Sequence, residues 1–178
     1  MGLAHGRFAR NRARSGIATA LCLGVLASAA RSEGVCPADL EPQQLLQAVN
    51  AVRAQARVCG ARSWPAVPAL QWDERLASSA QLFAQELAQR DSLSHEGKAA
   101  RSLRERLRAS AYSARMAGEN LAAGLETLQD TIDQWLSSPG HCENLMQADF
   151  ADMGLACASG PGRYQTYWVL HMARASAR

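Results

Sequence analysis

Three side chains in this sequence have the types and settings for chemistry. His95 lies in Ser94-His95-Glu96-Gly97, Glu119 in Gly118-Glu119-Asn120, and His141 directly after Ser138-Pro139-Gly140. The flanking glycines, serines and proline predict a loop for the first, a turn for the second and a helix stop for the third. These are positions from which side chains project into a cleft. Neutral imidazoles bind divalent cations such as zinc and titrate near neutral pH. A carboxylate beside them fixes a tautomer or takes up a proton. Each residue also has an ordinary role open to it: a histidine after Pro-Gly can cap carbonyls, and Glu119 can bond loop amides. His171 falls inside an apolar run and reads as structural.

Other chemistries lack their residues. His95-Glu96 is followed by Ala99 where the zinc-protease helix needs a second histidine. The sequence has no phosphate-binding loop, dinucleotide fingerprint, G-x-S-x-G nucleophile elbow or C-x-x-C pair. A Ser138–His141 nucleophilic pair is a weak variant, because the two are three residues apart across Pro-Gly.

The elements that must position these residues follow from periodicity. Leu45, Leu46, Val49 and Val52 recur at helical spacing and predict a helix over 41–58, ended by Cys59-Gly60. SWPAVPAL (63–70) carries two prolines and must be extended. Asp73 reads as the N-cap of a second helix reaching residue 90, with Leu76, Ala80, Phe83, Ala84 and Leu87 on one face. Residues 101–109 form a short helix whose four arginines and one glutamate read as a solvated face. Thr127 and Asp130 resemble a capping box for a helix burying Leu128, Ile132, Trp135 and Leu136 and stopped by Pro139. Residues 153–157 and 164–172 read as strands, the latter covered on both faces. Helices first and strands late predict α+β with an antiparallel sheet.

Composition sharpens once the N-terminus is set apart. The 178-residue chain is 48% hydrophobic and carries 19 Lys plus Arg, 16 Asp plus Glu and five cysteines. This excludes a disordered or fibrous protein. Residues 1–14 hold Arg7, Arg10, Arg12 and Arg14 and no acid. Residues 15–30 are uncharged and apolar and contain Ala27-Ser28-Ala29. A basic region, a short apolar core and a small-residue exit predict a signal peptide over 1–29 and a secreted or periplasmic protein. Removing the segment leaves 15 bases against 16 acids, a net charge of −1, with no argument for nucleic acid. Cys22 leaves with it. Cys36, Cys59, Cys142 and Cys157 remain for two disulfides, with three connectivities open. Sequence proximity favours Cys36–Cys59 and Cys142–Cys157.

Five blocks in order carry a resemblance: Ser94-His95, GENLAAG (118–124), WLSSPGHCENLM (135–146), MGLAC (153–157) and YW (167–168). With LLQAVNAVRAQAR and LQWDERLASSAQ before them, they resemble the CAP superfamily of cysteine-rich secretory, antigen 5 and pathogenesis-related 1 proteins, in its bacterial SCP-like form. The resemblance covers residues 36–175. It implies an α-β-α sandwich with a small three-stranded antiparallel sheet and a central cleft. It implies a cleft tetrad of two histidines, matched by His95 and His141, and two acids, the first matched by Glu119. The second acid's place, three residues after Trp135, is held by Ser138, with Glu143 two residues beyond His141. Some family members bind zinc or another divalent cation through the two histidines, and the missing acid weakens that expectation here. The function expected is non-catalytic binding of a lipid, a sterol or a cell-envelope component, without membrane insertion after signal removal. The rival is an extracellular metal-dependent hydrolase using His95 and His141 with Glu119 as base.

Overall fold

The computed structural model describes residues 1–2, 35–37 and 40–177, and the architecture below belongs to the unit formed by residues 32–178. The predicted signal peptide lies outside the described residues. The element order is α1 (Pro42–Arg53), β1 (Arg57–Cys59), β2 (Arg62–Trp64), β3 (Gln71–Trp72), α2 (Glu74–Arg90), α3 (Leu103–Ala109), β4 (Ala114–Ala123), α4 (Leu128–Ser137), α5 (Pro139–Leu145), β5 (Asp152–Ser159) and β6 (Thr166–Ala175). Among the described residues no helix is long and apolar enough to cross a membrane.

The main sheet runs β3-β5-β6-β4. Strands β5, β6 and β4 are antiparallel neighbours, as expected for three strands, and the two-residue β3 adds a short parallel edge beside β5. Strand β6 is buried through Thr166–Ala173, as its apolar residues at both parities require. Its alternation sorts the layers. Trp168, Leu170 and Met172 face α1, α4 and α5 with Val49, Ile132, Trp135 and Leu145. Tyr167 and Val169 face α2 with Phe83, Ala84 and Leu87, and Ala173 joins Leu76 and Leu107. The result is an α-β-α sandwich, α2 and α3 on one side and α1, α4 and α5 on the other. Helix α2 sits unusually close to the sheet because of Gly154: a Cβ there would lie 2.0 Å from the Ala77 nitrogen.

The capping signals at Asp73 and Thr127 hold, and Ser102 caps a third helix that had no cap assigned from the sequence. Asp73 accepts from the Arg75 and Leu76 amides, Ser102 from Glu105, and Thr127 from Asp130. Four expectations need correction. Helix α1 ends at Arg53 rather than 58, because residues 57–64 form a hairpin, Arg57 opposite Trp64, with Gly60 at φ +60° in its turn. Pro139 stops α4 and also opens α5 from the first-turn position where its missing N–H is harmless, so His141 lies within a helix. Gly118-Glu119-Asn120 is strand, not turn. The disulfides are Cys36–Cys157 and Cys59–Cys142, at sequence separations of 121 and 83. Proximity in sequence misled because the hairpin packs on α5 while the segment before α1 lies along β5, where the Cys36 amide also donates to Ser159 Oγ at 2.9 Å.

Arg53 locks this half of the sandwich. It is fully buried, and burial lowers its pKa to about 10. Its guanidinium donates to the carbonyls of Pro68, Leu145 and Gln147 at 2.6–3.1 Å, tying α1 to the proline-rich segment and to the end of α5. Arg53→Met leaves those carbonyls dry and unpaired. The variant is expected to lose about 3 kcal/mol in urea unfolding at constant m-value, with Arg53→Lys recovering only part. A loss within ±0.5 kcal/mol contradicts this role.

Candidate functional site

The site is built on the outer strand of the sheet. Pairing of β4 with β6 sets Glu119 directly opposite His171, and Gly154 of β5 lies on the other side of His171. Strand alternation turns Glu119 toward α2 and α3 and Asn120 toward α5. These adjacent residues then do separate jobs.

Glu119 is the hub. His95 Nδ1 lies 2.7 Å from its Oε1, and Oε2 receives Arg106 Nη2 at 2.7 Å and His171 Nε2 at 2.8 Å. The side chain is 4% exposed. Burial pushes the Glu119 carboxyl up, but hydrogen bonds from His171 and His95 and the nearby positive charges outweigh it and bring the pKa down to about 2. A carboxylate oxygen only accepts, so both imidazoles must donate to it. His171 is fully buried, and burial holds its pKa down against the pull of Glu119. It is therefore neutral, with its proton on Nε2. Its Nδ1 is a bare lone pair that finds no partner among the described residues. Arg106 is clamped further by the carbonyls of His95 and Ala100, both at 3.2 Å, and its guanidinium carbon lies 3.6 Å from the Phe83 ring centroid. Phe83 also stacks on His171.

His95 stands at the surface, its side chain 62% exposed. The hydrogen bond it donates to Glu119 raises its pKa. With Nδ1 donating to the carboxylate, the neutral ring keeps an unprotonated Nε2 for other partners. His141 approaches from the other face of the sandwich. Asn120 Nδ2 donates to the His141 carbonyl at 3.0 Å, and Asn144 Nδ2 bridges to Asn120 Oδ1 at 3.0 Å and the Glu119 carbonyl at 3.3 Å. Gly118 permits this docking, since a Cβ there would lie 2.7 Å from Phe150 and 3.2 Å from Asn144 Oδ1. Burial lowers the His141 pKa, and the charge of His95 lowers it further. The two imidazoles therefore share one electrostatic neighbourhood at the β4 edge.

Ser138 is half-buried at the α4–α5 junction, where it caps α5 without a side-chain hydrogen bond and stays outside the Glu119 network. Two members of that network escaped the sequence reading. Arg106 was expected on a solvated face and is 6% exposed. The helical pattern held the signal, since Arg106 adjoins buried Leu107 and lies i+3 from half-buried Leu103. His171 was correctly read as structural, but its pairing with Glu119 depends on strand register, which no local pattern announces. Among the described residues no group of three or more His, Cys, Asp or Glu side chains is arranged to hold a metal ion. Catalytic zinc takes three protein ligands and structural zinc four, and His95 and His141 supply two.

The fold and this site define an SCP-like domain. Residues 46–172 match the CAP, cysteine-rich secretory protein family, and the chain belongs to that family. The uncharacterised protein YkwD of Bacillus subtilis is 29% identical over 86 residues, 48% of this chain and 34% of that protein. The chain thus matches about a third of that relative's length. An extracellular SCP-domain protein of Bacillus anthracis superposes with a TM-score of 0.62 at 25% identity, covering 74% of this chain and 39% of that one. An outer surface protein of Borrelia burgdorferi gives 0.60 at 19% identity, over 77% and 97% of the two chains, a likeness of fold.

The Glu119 cluster carries a pH signature. Its folded pKa is depressed, so its contribution is present above the unfolded value of about 4.5 and is lost as pH falls toward 2. The shift corresponds to about 3 kcal/mol. His171 adds to the acid limb, because the unfolded chain takes up its proton first as pH drops below 6.5. His95 works in the opposite sense: its small contribution is complete below 6.5 and fades as pH rises through the raised folded pKa. Glu119→Gln, which strands the Arg106 charge, is expected to lose at least about 3 kcal/mol at pH 7 and to flatten the loss between pH 4.5 and 2 in urea unfolding. An unchanged acid limb refutes the assignment.

Histidine NMR titration checks the imidazole pair. His95 is expected to titrate above 6.5 and His141 below it, with His141 moving up in His95→Gln. A His141 pKa indifferent to His95 removes the shared cleft.

Proposed function

We propose that this is an exported CAP-domain protein that binds a cell-envelope component, lipid or cell-wall material, without turning it over. One observation carries this reading. The carboxylate that a hydrolytic mechanism needs as base is buried, with both oxygens engaged by His95, Arg106 and His171 and its pKa near 2. Such a group is a poor proton acceptor at neutral pH. It acts as the anchor that holds His95 at the cleft edge, leaving two imidazoles as polar contacts for a ligand. The two disulfides and the extracellular Bacillus anthracis neighbour support export.

A second reading, a hydrolase working through a divalent cation on His95 and His141, is favoured by the His95 ring, which Glu119 orients through Nδ1 as carboxylates behind metal-bound histidines do. The ligand count opposes it. Calorimetric zinc titration separates the two. Binding weaker than about 10 μM, abolished in His95→Ala, is expected of an imidazole pair without further protein ligands. Tight one-to-one binding with zinc-dependent turnover of ester or amide substrates refutes the non-catalytic reading. In the companion experiment, native mass spectrometry after incubation with envelope extract is expected to show retained ligand. A chain that retains nothing from either lipid or wall fractions sinks the binding reading.

A further inference from the structure

A second concave site lies apart from the histidines, on the opposite edge of the sheet. Cys36, tied to β5 by Cys36–Cys157, forms with Pro37 and Leu40 one wall of a groove of about 430 Å³. Trp72 of β3 and the β5 residues Leu155–Cys157 complete the lining beneath it. The facing wall is one stripe of α2. Glu74, Ser78 and Gln81 recur at i, i+4 and i+7 and so share a face, with small Ala77 between them. The volume falls in the range of small-molecule sites.

The chemistry of this groove selects among envelope components. Trp72 is half-buried, with one part packed on the core and the rest at the groove. Its Nε1–H donates to Glu74 Oε1 at 3.0 Å, which holds the carboxylate beside the indole and leaves Oε2 unengaged among the described residues. Ser78 and Gln81 make no side-chain hydrogen bond among the described residues, so a hydroxyl and a primary amide are also on offer. An acyl chain would leave these polar groups unpaired, and Glu74 repels phosphate-bearing polymers and anionic lipids. A pyranose meets all the requirements. Its axial C–H face covers an indole, and its equatorial hydroxyls and acetamide N–H reach acceptors and donors around the ring edge. An indole also supplies a large, rigid contact at low entropic cost.

We propose that the groove between the Cys36–Cys157 strap and α2 is a saccharide subsite, stacking a β-linked N-acetylhexosamine unit on Trp72 with Glu74, Ser78 and Gln81 as its polar contacts. This goes beyond the envelope-binding function proposed above, on which it rests, by adding a separate subsite for a neutral glycan away from the contacts that His95 and His141 offer.

The test uses the full chain with its disulfides intact and chitotetraose as probe, with maltotetraose as control. The readout is the Trp72 indole N–H signal in ¹H–¹⁵N spectra, with Trp64 as internal reference. A saturable shift with a Kd in the millimolar range or tighter is expected for chitotetraose, and a weaker one for maltotetraose. Glu74→Ala and Gln81→Ala, both on the outer face of α2, should each weaken binding about tenfold without loss of fold. His95→Ala should leave the titration unchanged. No Trp72 shift at about 10 mM chitotetraose overturns the subsite. Affinities indifferent to both α2 variants, or a titration that follows His95→Ala, overturn it as well. Failure here with ligand still retained from the envelope extract discards the saccharide subsite alone. Failure of both experiments discards the binding function itself.

Discussion

A carboxylate with almost no access to water has to be neutralised from within, and Glu119 obliges three other parts of the chain to do it. The cation comes from α3, one imidazole from the interior of β6, a second from the loop after α2, and the carboxylate itself from β4. Desolvation of a single ion is worth far more than any one of these contacts, so the arrangement holds only when all are in place. α3 therefore stays where its arginine reaches inward, and the loop carrying His95 follows, because Arg106 also grips that residue's carbonyl. Phe83 closes the cluster by lying against both Arg106 and His171. The same network that fixes the cleft thus fastens α3 to the sheet.

The other face of β4, toward His141, is fastened by uncharged contacts. The alternation of β4 sends the residue after Glu119 to the other face, where two asparagine amides stitch α5 to the strand. Cys59–Cys142 adds a covalent tie from the hairpin, buried at 1% exposure on both sides. Trp135 completes the docking by donating to the Leu121 carbonyl at 3.0 Å. One strand therefore serves as the reference for both histidines, and a shift of β4 against β6 by one residue would part Glu119 from His171 and turn Asn120 away from α5.

These two faces explain what the residues revealed before any coordinates did. Local chemistry was legible. Asp73 and Thr127 cap helices as read, and the unbroken apolar run of β6 announced a strand covered on both sides. The ordered blocks led to the α-β-α sandwich, and they named His95 and Glu119, which the structure brings within 2.7 Å of each other. What remained hidden was non-local. Arg106 looked solvated in a run of arginines, because only the burial of a distant carboxylate draws one of four inward. Glu119 looked like a turn residue, since Gly118 is there for the approach of Phe150 and Asn144 rather than for a bend. The cysteines paired across 121 and 83 residues where proximity suggested neighbours. In each case the deciding partner lies on an element far away in sequence.

The sheet's construction also has a temporal side. Its three long strands all lie beyond residue 113, and β6, which pairs with both of the others, is the last of the elements described. Until β6 exists, β4 and β5 have no common neighbour and Glu119 has no His171. Contacts of such long sequence separation must be closed against chain entropy before they return any stability, which makes assembly slow and late. Completion of this sheet therefore waits on β6. A chain interrupted before Thr166 carries all five described helices and both His95 and His141, yet lacks the strand against which both layers pack.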